Sequence, residues 1–333
     1  MPPRSTTSIR HRLQNFVQNT LPRSAVFAGR QRIRLKEALH GITLNDFHFD
    51  IVHGCQLRCV GCPNSTLLPK IQRVTVENFE RCLANVDVAH VKRFAFFNYG
   101  EPLLHPELAA IVAVLPRQRW TTDRVEISTN AQNINWSVLE ETIKQRVITH
   151  FAISCDGNGT PEDYERLRPP AKWAKLVECF QKISEIRDRH HPELQILTRT
   201  IIQTRSDRLR WEETLRPFGI IPEFRGWMNL VEASTKPNGD NSPIGRGICH
   251  WMSDRPSLYA TATGEVVPCC LHPRAGVLGN LLKQKHSDIR KGELRKEFRH
   301  QLQHNRSAME ICGRCEAGPN GMASAVLAPD VLA

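Results

Sequence analysis

Cys55-Gln-Leu-Arg-Cys59-Val-Gly-Cys62 decides how the rest of the chain reads. Three thiolates from one short loop can hold three corners of a 4Fe-4S cube and leave the fourth iron without a protein ligand. A small chelating molecule can then coordinate that iron and accept an electron from the cluster. Three-cysteine loops also bind zinc, so the flanking sequence has to arbitrate. Upstream, Phe47-His-Phe-Asp-Ile-Val-His53 alternates apolar and polar residues as a first strand, which puts the cysteine loop at a strand's C-terminal end. In α/β folds that end carries the chemistry.

Further along, Phe94-Ala-Phe-Phe-Asn98 reads as a second strand that runs into Tyr99-Gly100-Glu101-Pro102. Val125-Glu-Ile-Ser128-Thr-Asn130-Ala131 ends in a hydroxyl and an amide. Phe151-Ala-Ile-Ser154-Cys155-Asp156-Gly157 is followed by Tyr164 to Arg168. Taken in order, the four segments resemble the radical S-adenosylmethionine (SAM) superfamily. The resemblance implies that a cluster on Cys55, Cys59 and Cys62 chelates SAM. It also implies that Gly100 and Glu101 occupy the family's Gly-Gly-Glu-Pro loop at the SAM amino group, where a carboxylate beside an open glycine backbone suits an ammonium. Ser128 and Asn130 fall at the segment near the ribose and carboxylate of SAM, Ser154 in the Ser-x-Asp-Gly strand, and Arg168 at the arginine that pairs with the SAM carboxylate. Tyr99 stands where many members have glycine, a departure expected to narrow the pocket.

With 333 residues, 40% of them hydrophobic, the chain can bury a full core. The longest apolar run, Leu108 to Leu115, is far too short to span a membrane, and no secretory signal is expected. Eleven cysteines, an odd number and grouped at metal-ligand spacings, argue for a reducing cytoplasm over a disulfide framework.

Residues 1–45 are basic and poor in acids, and Ile9, Leu13, Phe16 and Val17 recur at helical spacing, which predicts a helical extension. From 46 to 235 strands and helices alternate. Helices are expected over 76–86, 106–114, 136–145, 171–187 and 209–215, with strands over 195–202 and 221–227. Short strands each followed by a helix imply a parallel sheet with right-handed crossovers. With the resemblance, the fold class is α/β, a partial (β/α)6 barrel with a small C-terminal iron-sulfur extension. Glu232 to Gly245, rich in Pro, Gly, Asn and Ser, reads as a linker, and 246–333 as the extension.

In that extension Cys249 is followed by Gly264-Glu-Val-Val-Pro-Cys269-Cys270, Gly279-Asn280-Leu281, a charged helix and Cys312-Gly-Arg-Cys315. This resembles the SPASM and twitch branch of the superfamily. The resemblance implies one auxiliary 4Fe-4S cluster fully ligated by Cys249, Cys269, Cys312 and Cys315. A structural zinc site is the alternative, and Cys270 competes with Cys269 as a ligand. Cys82, Cys155 and Cys179 are expected to be small buried core residues.

The formal charge of +11 favours an anionic partner. Scattered lysines and arginines and a 7% aromatic content argue against nucleic acid and leave an anionic small molecule or an acidic peptide. The expected activity is a radical SAM oxidoreductase. It would take an electron from a donor such as flavodoxin or ferredoxin, cleave SAM to a 5′-deoxyadenosyl radical and abstract hydrogen from a sugar, cyclitol, nucleotide-linked or peptide substrate. Dehydrogenation is the leading outcome. The alternatives are a redox-neutral epimerase, a peptide-modifying enzyme, and a non-enzymatic iron-sulfur or zinc module.

Overall fold

The computed structural model describes residues 37, 41–68, 70–233, 244–253, 257–322, 327 and 331. The expected amphipathic helix through Ile9 and Val17 and the middle of the expected linker, residues 234–243, lie outside the described residues.

The first strand, β1 (Thr43–Phe49), is followed by the two-residue β2 (Val52–His53), which pairs antiparallel with β3 (Gln72–Arg73). Between β2 and β3 lie the cysteine loop and a short helix, α1 (Asn64–Leu67). Helix α2 (Val76–Ala84) then leads to β4 (His90–Ala95), α3 (Leu108–Val112) to β5 (Thr121–Thr129), and α4 (Trp136–Lys144) to β6 (His150–Ser154). Two helices, α5 (Pro161–Leu167) and α6 (Trp173–His190), precede β7 (Gln195–Ile201), and α7 (Arg205–Leu215) precedes β8 (Ile221–Arg225). Strands β4 to β8 form consecutive parallel ladders beside β1, so six strands with outer helices make the partial (β/α)6 barrel.

The extension adds β9 (Ser257–Ala260), β10 (Glu265–Val267) and β11 (Gly279–Asn280), then α8 (His286–Lys291) and α9 (Glu293–His304). Strand β9 pairs in parallel with β1, with Asp46 opposite Ser257 and Phe49 opposite Ala260, and β10 and β11 follow antiparallel. The barrel sheet therefore runs on into the extension as one nine-stranded sheet, ordered β11-β10-β9-β1-β4-β5-β6-β7-β8.

Alternation fixes which side of the sheet each residue serves. Phe47 and Phe49 of β1 turn toward the helices, where they meet Phe79 of α2 and Phe94 of β4 in edge-on contacts, with ring centroids 4.9 Å apart for Phe49–Phe79 and 5.0 Å for Phe47–Phe94. Phe96 and Trp120 complete this buried aromatic layer. The intervening residues Asp46 and His48 take the opposite, inner face.

Several elements differ from their expected bounds by a few residues, and in two of them the cause is local. Helix α7 begins at Arg205 because Thr204 and Asp207 form a capping box, whereas the apolar stripe that marks it in the sequence starts a turn later. Strand β4 covers His90–Ala95 and stops short of Asn98, because the backbone N–H groups of Asn98 and Tyr99 turn to the Asp50 carboxylate.

Candidate functional site

Asp50, fully buried just past β1, organises the mouth of the barrel. Its Oδ1 accepts three consecutive backbone N–H groups, from Asn98 and Tyr99 at 3.1 Å each and from Gly100 at 2.9 Å. Its Oδ2 lies 3.0 Å from His53 Nδ1. The Glu101 N–H donates to the Gly54 carbonyl at 3.1 Å, so the 98–101 loop is pressed onto the chain entering the cysteine loop. The approach is so close that a Cβ on Gly100 would sit 1.7 Å from the Val52 carbonyl oxygen, which excludes every other residue there. Nothing local in the sequence marks Asp50, because its partners lie 48 to 50 residues further on.

Glu101 is 3% exposed. Its two oxygens accept from the Leu103 N–H at 3.0 Å and the Asn130 N–H at 2.6 Å. Burial raises its carboxyl to about 7, against the lowering effect of those two donors. Asn130 turns its amide to the cysteine loop: Nδ2 donates to Cys55 Sγ at 3.3 Å and to Gln56 Oε1 at 3.2 Å, while Gln56 Nε2 returns a bond of 3.2 Å to Asn130 Oδ1. The Ser128 and Ser154 hydroxyls lie 3.5 Å apart, side by side at the ends of β5 and β6.

The cysteine loop is pinned on either side of Arg168, by Arg58 N–H to the Pro169 carbonyl at 2.6 Å and Val60 N–H to the Leu167 carbonyl at 2.8 Å. Arg168 itself is buried, ion-paired to Asp156 and close to Cys59. Burial would lower its pKa, but Cys59 and Asp156 raise it well above the ordinary arginine value. Burial pushes Cys55 up to about 12, helped by Glu101, and Cys59 up to about 11, opposed by Arg168. Thiols in that range need a bound cation to ionise, so metal binding here displaces protons.

The extension gathers a second set. Cys249, Cys269, Cys312 and Cys315 all line one pocket, walled by apolar residues such as Val231, Met252, Phe298 and Ile311. Cys270 is absent from that lining and packs instead with Trp251 against Tyr99, Tyr259 and Val267. Burial pushes Cys312 up to about 12 and Cys269 well above the ordinary thiol value. Arg306, which the sequence reading passed over, clasps the site: Nε donates to the Cys312 carbonyl at 2.9 Å, Nη1 to Gly247 and Nη2 to Cys315, both at 3.0 Å. One guanidinium thus ties the stretch that carries Cys249 to the turn that carries both Cys312 and Cys315.

Among the described residues no three His, Cys, Asp or Glu side chains come close enough to share a single metal ion. A four-iron cube holds its thiolates further apart than one ion does. By donor chemistry the first site suits it: three half-buried thiols from one loop, with N–H donors to Cys55 Sγ from Asn130 at 3.3 Å and Leu57 at 3.4 Å. The second offers four thiols around one largely apolar pocket. Cys82, Cys155 and Cys179 are fully buried, and Cys155 Sγ meets Thr200 Oγ1 at 3.2 Å.

The inner face of the barrel is charged. Glu126 of β5, fully buried, pairs with Arg199 of β7 and, at 2.7 Å, with Arg124. Burial would raise its carboxyl, yet Arg199, Arg93 and Arg124 hold it below the ordinary value. Beside it, Arg93 pairs with Asp46 at 2.9 Å and lies 2.6 Å from His48 Nε2, and burial together with Arg93 lowers His48 to about 3.

Residues 50–191 match the family model of the radical SAM superfamily, and residues 249–316 match the SPASM iron-sulfur cluster-binding domain. Among solved structures, Streptococcus suis SuiB bound to S-adenosylmethionine shares 13% identity with a TM-score of 0.55 and covers 94% of this chain and 83% of its own. The structure of anSMEcpe with bound AdoMet shares 14% with a TM-score of 0.52, covering 77% and 82%. BtrN in complex with AdoMet and 2-DOIA shares 18% with a TM-score of 0.48, covering 81% and 91%. At these identities the likeness is one of fold. No curated protein matches the chain.

Proposed function

The chain belongs to the radical SAM superfamily, with its radical SAM domain at 50–191 and a SPASM iron-sulfur domain at 249–316, and from that premise we propose that it is an oxidoreductase that dehydrogenates a polar substrate held inside the barrel. We assign Cys55, Cys59 and Cys62 to the SAM-binding 4Fe-4S cluster and Cys249, Cys269, Cys312 and Cys315 to one auxiliary cluster. In this reading 46–235 is the barrel and 246–333 the auxiliary-cluster domain. When bound, the first cluster and SAM supply a 5′-deoxyadenosyl radical that removes a hydrogen atom from an unactivated C–H bond.

The chain's own residues do the positioning. Gly100 and Glu101 take the SAM ammonium at the loop held by Asp50, while Ser128, Ser154 and Arg168 stand around the rest of the molecule. Asn130 and Leu57 donate to Cys55 Sγ and so tune that ligand's electron density. The charged inner face around Glu126 and Arg199 suits a polar or anionic substrate, such as a sugar, a cyclitol or a nucleotide-linked group, over an apolar one.

The observation that carries the oxidative reading is the single cavity lined by four cysteines. A fully ligated cluster has no open iron, so its use is to take or pass an electron. Substrate would then lose one hydrogen as an atom, and the second as an electron to that cluster and a proton to solvent. The electron that starts each turnover would come from a cytoplasmic donor such as a flavodoxin or ferredoxin. Among the described residues no helix is long and apolar enough to cross a membrane.

A redox-neutral outcome is the second reading, favoured by the position of Cys270 on the inner side of the hairpin with Tyr259 and Val267. Mass spectrometry of product made in deuterated buffer separates the two. Dehydrogenation gives a product two hydrogens lighter with no solvent deuterium at the attacked carbon. A product of unchanged connectivity that carries one solvent deuteron, lost in Cys270→Ala, would replace dehydrogenation by epimerisation. If the Cys55, Cys59, Cys62 triple alanine variant still forms 5′-deoxyadenosine under reduction, the assignment of the first cluster fails.

A further inference from the structure

The loop that carries Gly100 and Glu101 and the turn that carries Cys269 are 170 residues apart in sequence, and one side chain joins them. The Tyr99 hydroxyl shares its proton between the Cys269 carbonyl and the His272 carbonyl, the latter at 3.1 Å. Its ring, 4% exposed, packs on Tyr259 and Val267 of the hairpin, with Trp251 and Cys270 against the same cluster. Its backbone is held as firmly. The N–H donates to Asp50 Oδ1 at 3.1 Å, and the carbonyl accepts from Asn64 Nδ2 at 3.1 Å. Tyr99 is therefore fixed at both ends, between Asp50 and Asn64 on one side and the Cys269 to His272 turn on the other.

We propose that Tyr99 is a positioning residue that transmits occupancy of the Gly100–Glu101 loop to the auxiliary site at Cys269. The inference rests on the two-cluster reading above. Because the ring is locked into a packed cluster, a shift of the loop by a bound ligand moves the hydroxyl and with it the Cys269 peptide, whose dipole lies beside the Cys269 thiolate. Such coupling is reciprocal: if SAM alters the auxiliary cluster's midpoint potential, reduction of that cluster alters SAM affinity by the same factor, on the order of fivefold or more.

The test is an anaerobic redox titration of the reconstituted protein by electron paramagnetic resonance, with and without SAM. The auxiliary signal is assigned by its absence from the Cys312→Ala, Cys315→Ala variant. Wild type should show an auxiliary midpoint that moves when SAM is added. Tyr99→Phe, which keeps the ring and its packing but loses both hydrogen bonds, should keep the iron content and lose the SAM-dependent shift. An equal shift in Tyr99→Phe, or none in wild type carrying both clusters, overturns the proposal while leaving the two-cluster reading intact. Uptake of about four irons by wild type, against about eight for two cubes, overturns both. Should Tyr99→Phe fail to fold, hydrogen exchange over residues 268–273 of wild type decides: slower exchange with SAM supports the proposal, and unchanged exchange sinks it.

Discussion

Asp50 spends one carboxylate oxygen on three successive backbone N–H groups and so makes a turn that no neighbouring residue could hold. Removing it leaves those buried donors without an acceptor, at about 1–3 kcal/mol each. Asp50→Ala should therefore lower the unfolding midpoint in urea markedly and weaken SAM binding. A variant with wild-type stability would show that solvent replaces the carboxylate. Glu101 offers a separate test, through pH. Burial raises its pKa to about 7 in the folded chain, above the ordinary carboxyl value. For an acid raised in this way, the protonated form stabilises the fold, and that contribution is lost as pH rises through about 7. In the proposed site the ammonium of SAM pairs with this carboxylate, so SAM affinity should climb with pH up to about 7 and then level off. Glu101→Gln should bind SAM weakly with no such slope, as equilibrium dialysis under nitrogen would report. A slope that persists in the glutamine variant would assign the titration to another group. Glu101 was legible in the sequence because it stands in a short motif with glycine and proline. Asp50 was not, because its role exists only once β1 and β4 lie side by side.

Elements were easiest to read where their apolar pattern and their caps agreed. Helix α2 is capped by Thr75, which accepts from the Asn78 N–H at 3.2 Å, and it buries Phe79, Cys82 and Leu83. Helix α7 was read short because its first turn is charged and only Trp211 and Leu215 are apolar and buried. The extension cysteines stood out by spacing, but the clasp around them did not: a lone arginine in a polar stretch looks like solvated surface. In the fold Arg306 is 8% exposed and spends its donors on three carbonyls. Arg306→Ala should release the 312–315 turn from the segment that carries Cys249 and lower iron from about eight to about four per chain, with 5′-deoxyadenosine formation retained. Arg306→Lys keeps the charge but cannot reach all three acceptors, so it should fall between. Full iron content in the alanine variant would make the clasp dispensable.

At the scale of the molecule, the α/β alternation and the order of the motifs were enough to expect a partial barrel. What no local pattern announced is that the extension continues the barrel's own sheet. Residues 44–333 form one compact unit, and β9 covers the edge of β1. A chain ended at residue 245 would leave that edge unpaired beside the aromatic layer, and exposed strand edges invite aggregation. It is expected to aggregate on expression, as light scattering would show, and a monomeric truncation with a cooperative thermal transition would contradict this. The same pairing bears on synthesis at the ribosome. Asp46 waits for Ser257, and at about 5–20 residues per second the wait is roughly 10–40 s. Through that interval the nascent first strand, with the oxygen-sensitive cysteine loop just behind it, has one flank open. Cluster loading and chaperone occupancy therefore compete for a half-built barrel, and slowing translation across the 234–256 stretch should lower the yield of iron-loaded protein more than that of total protein.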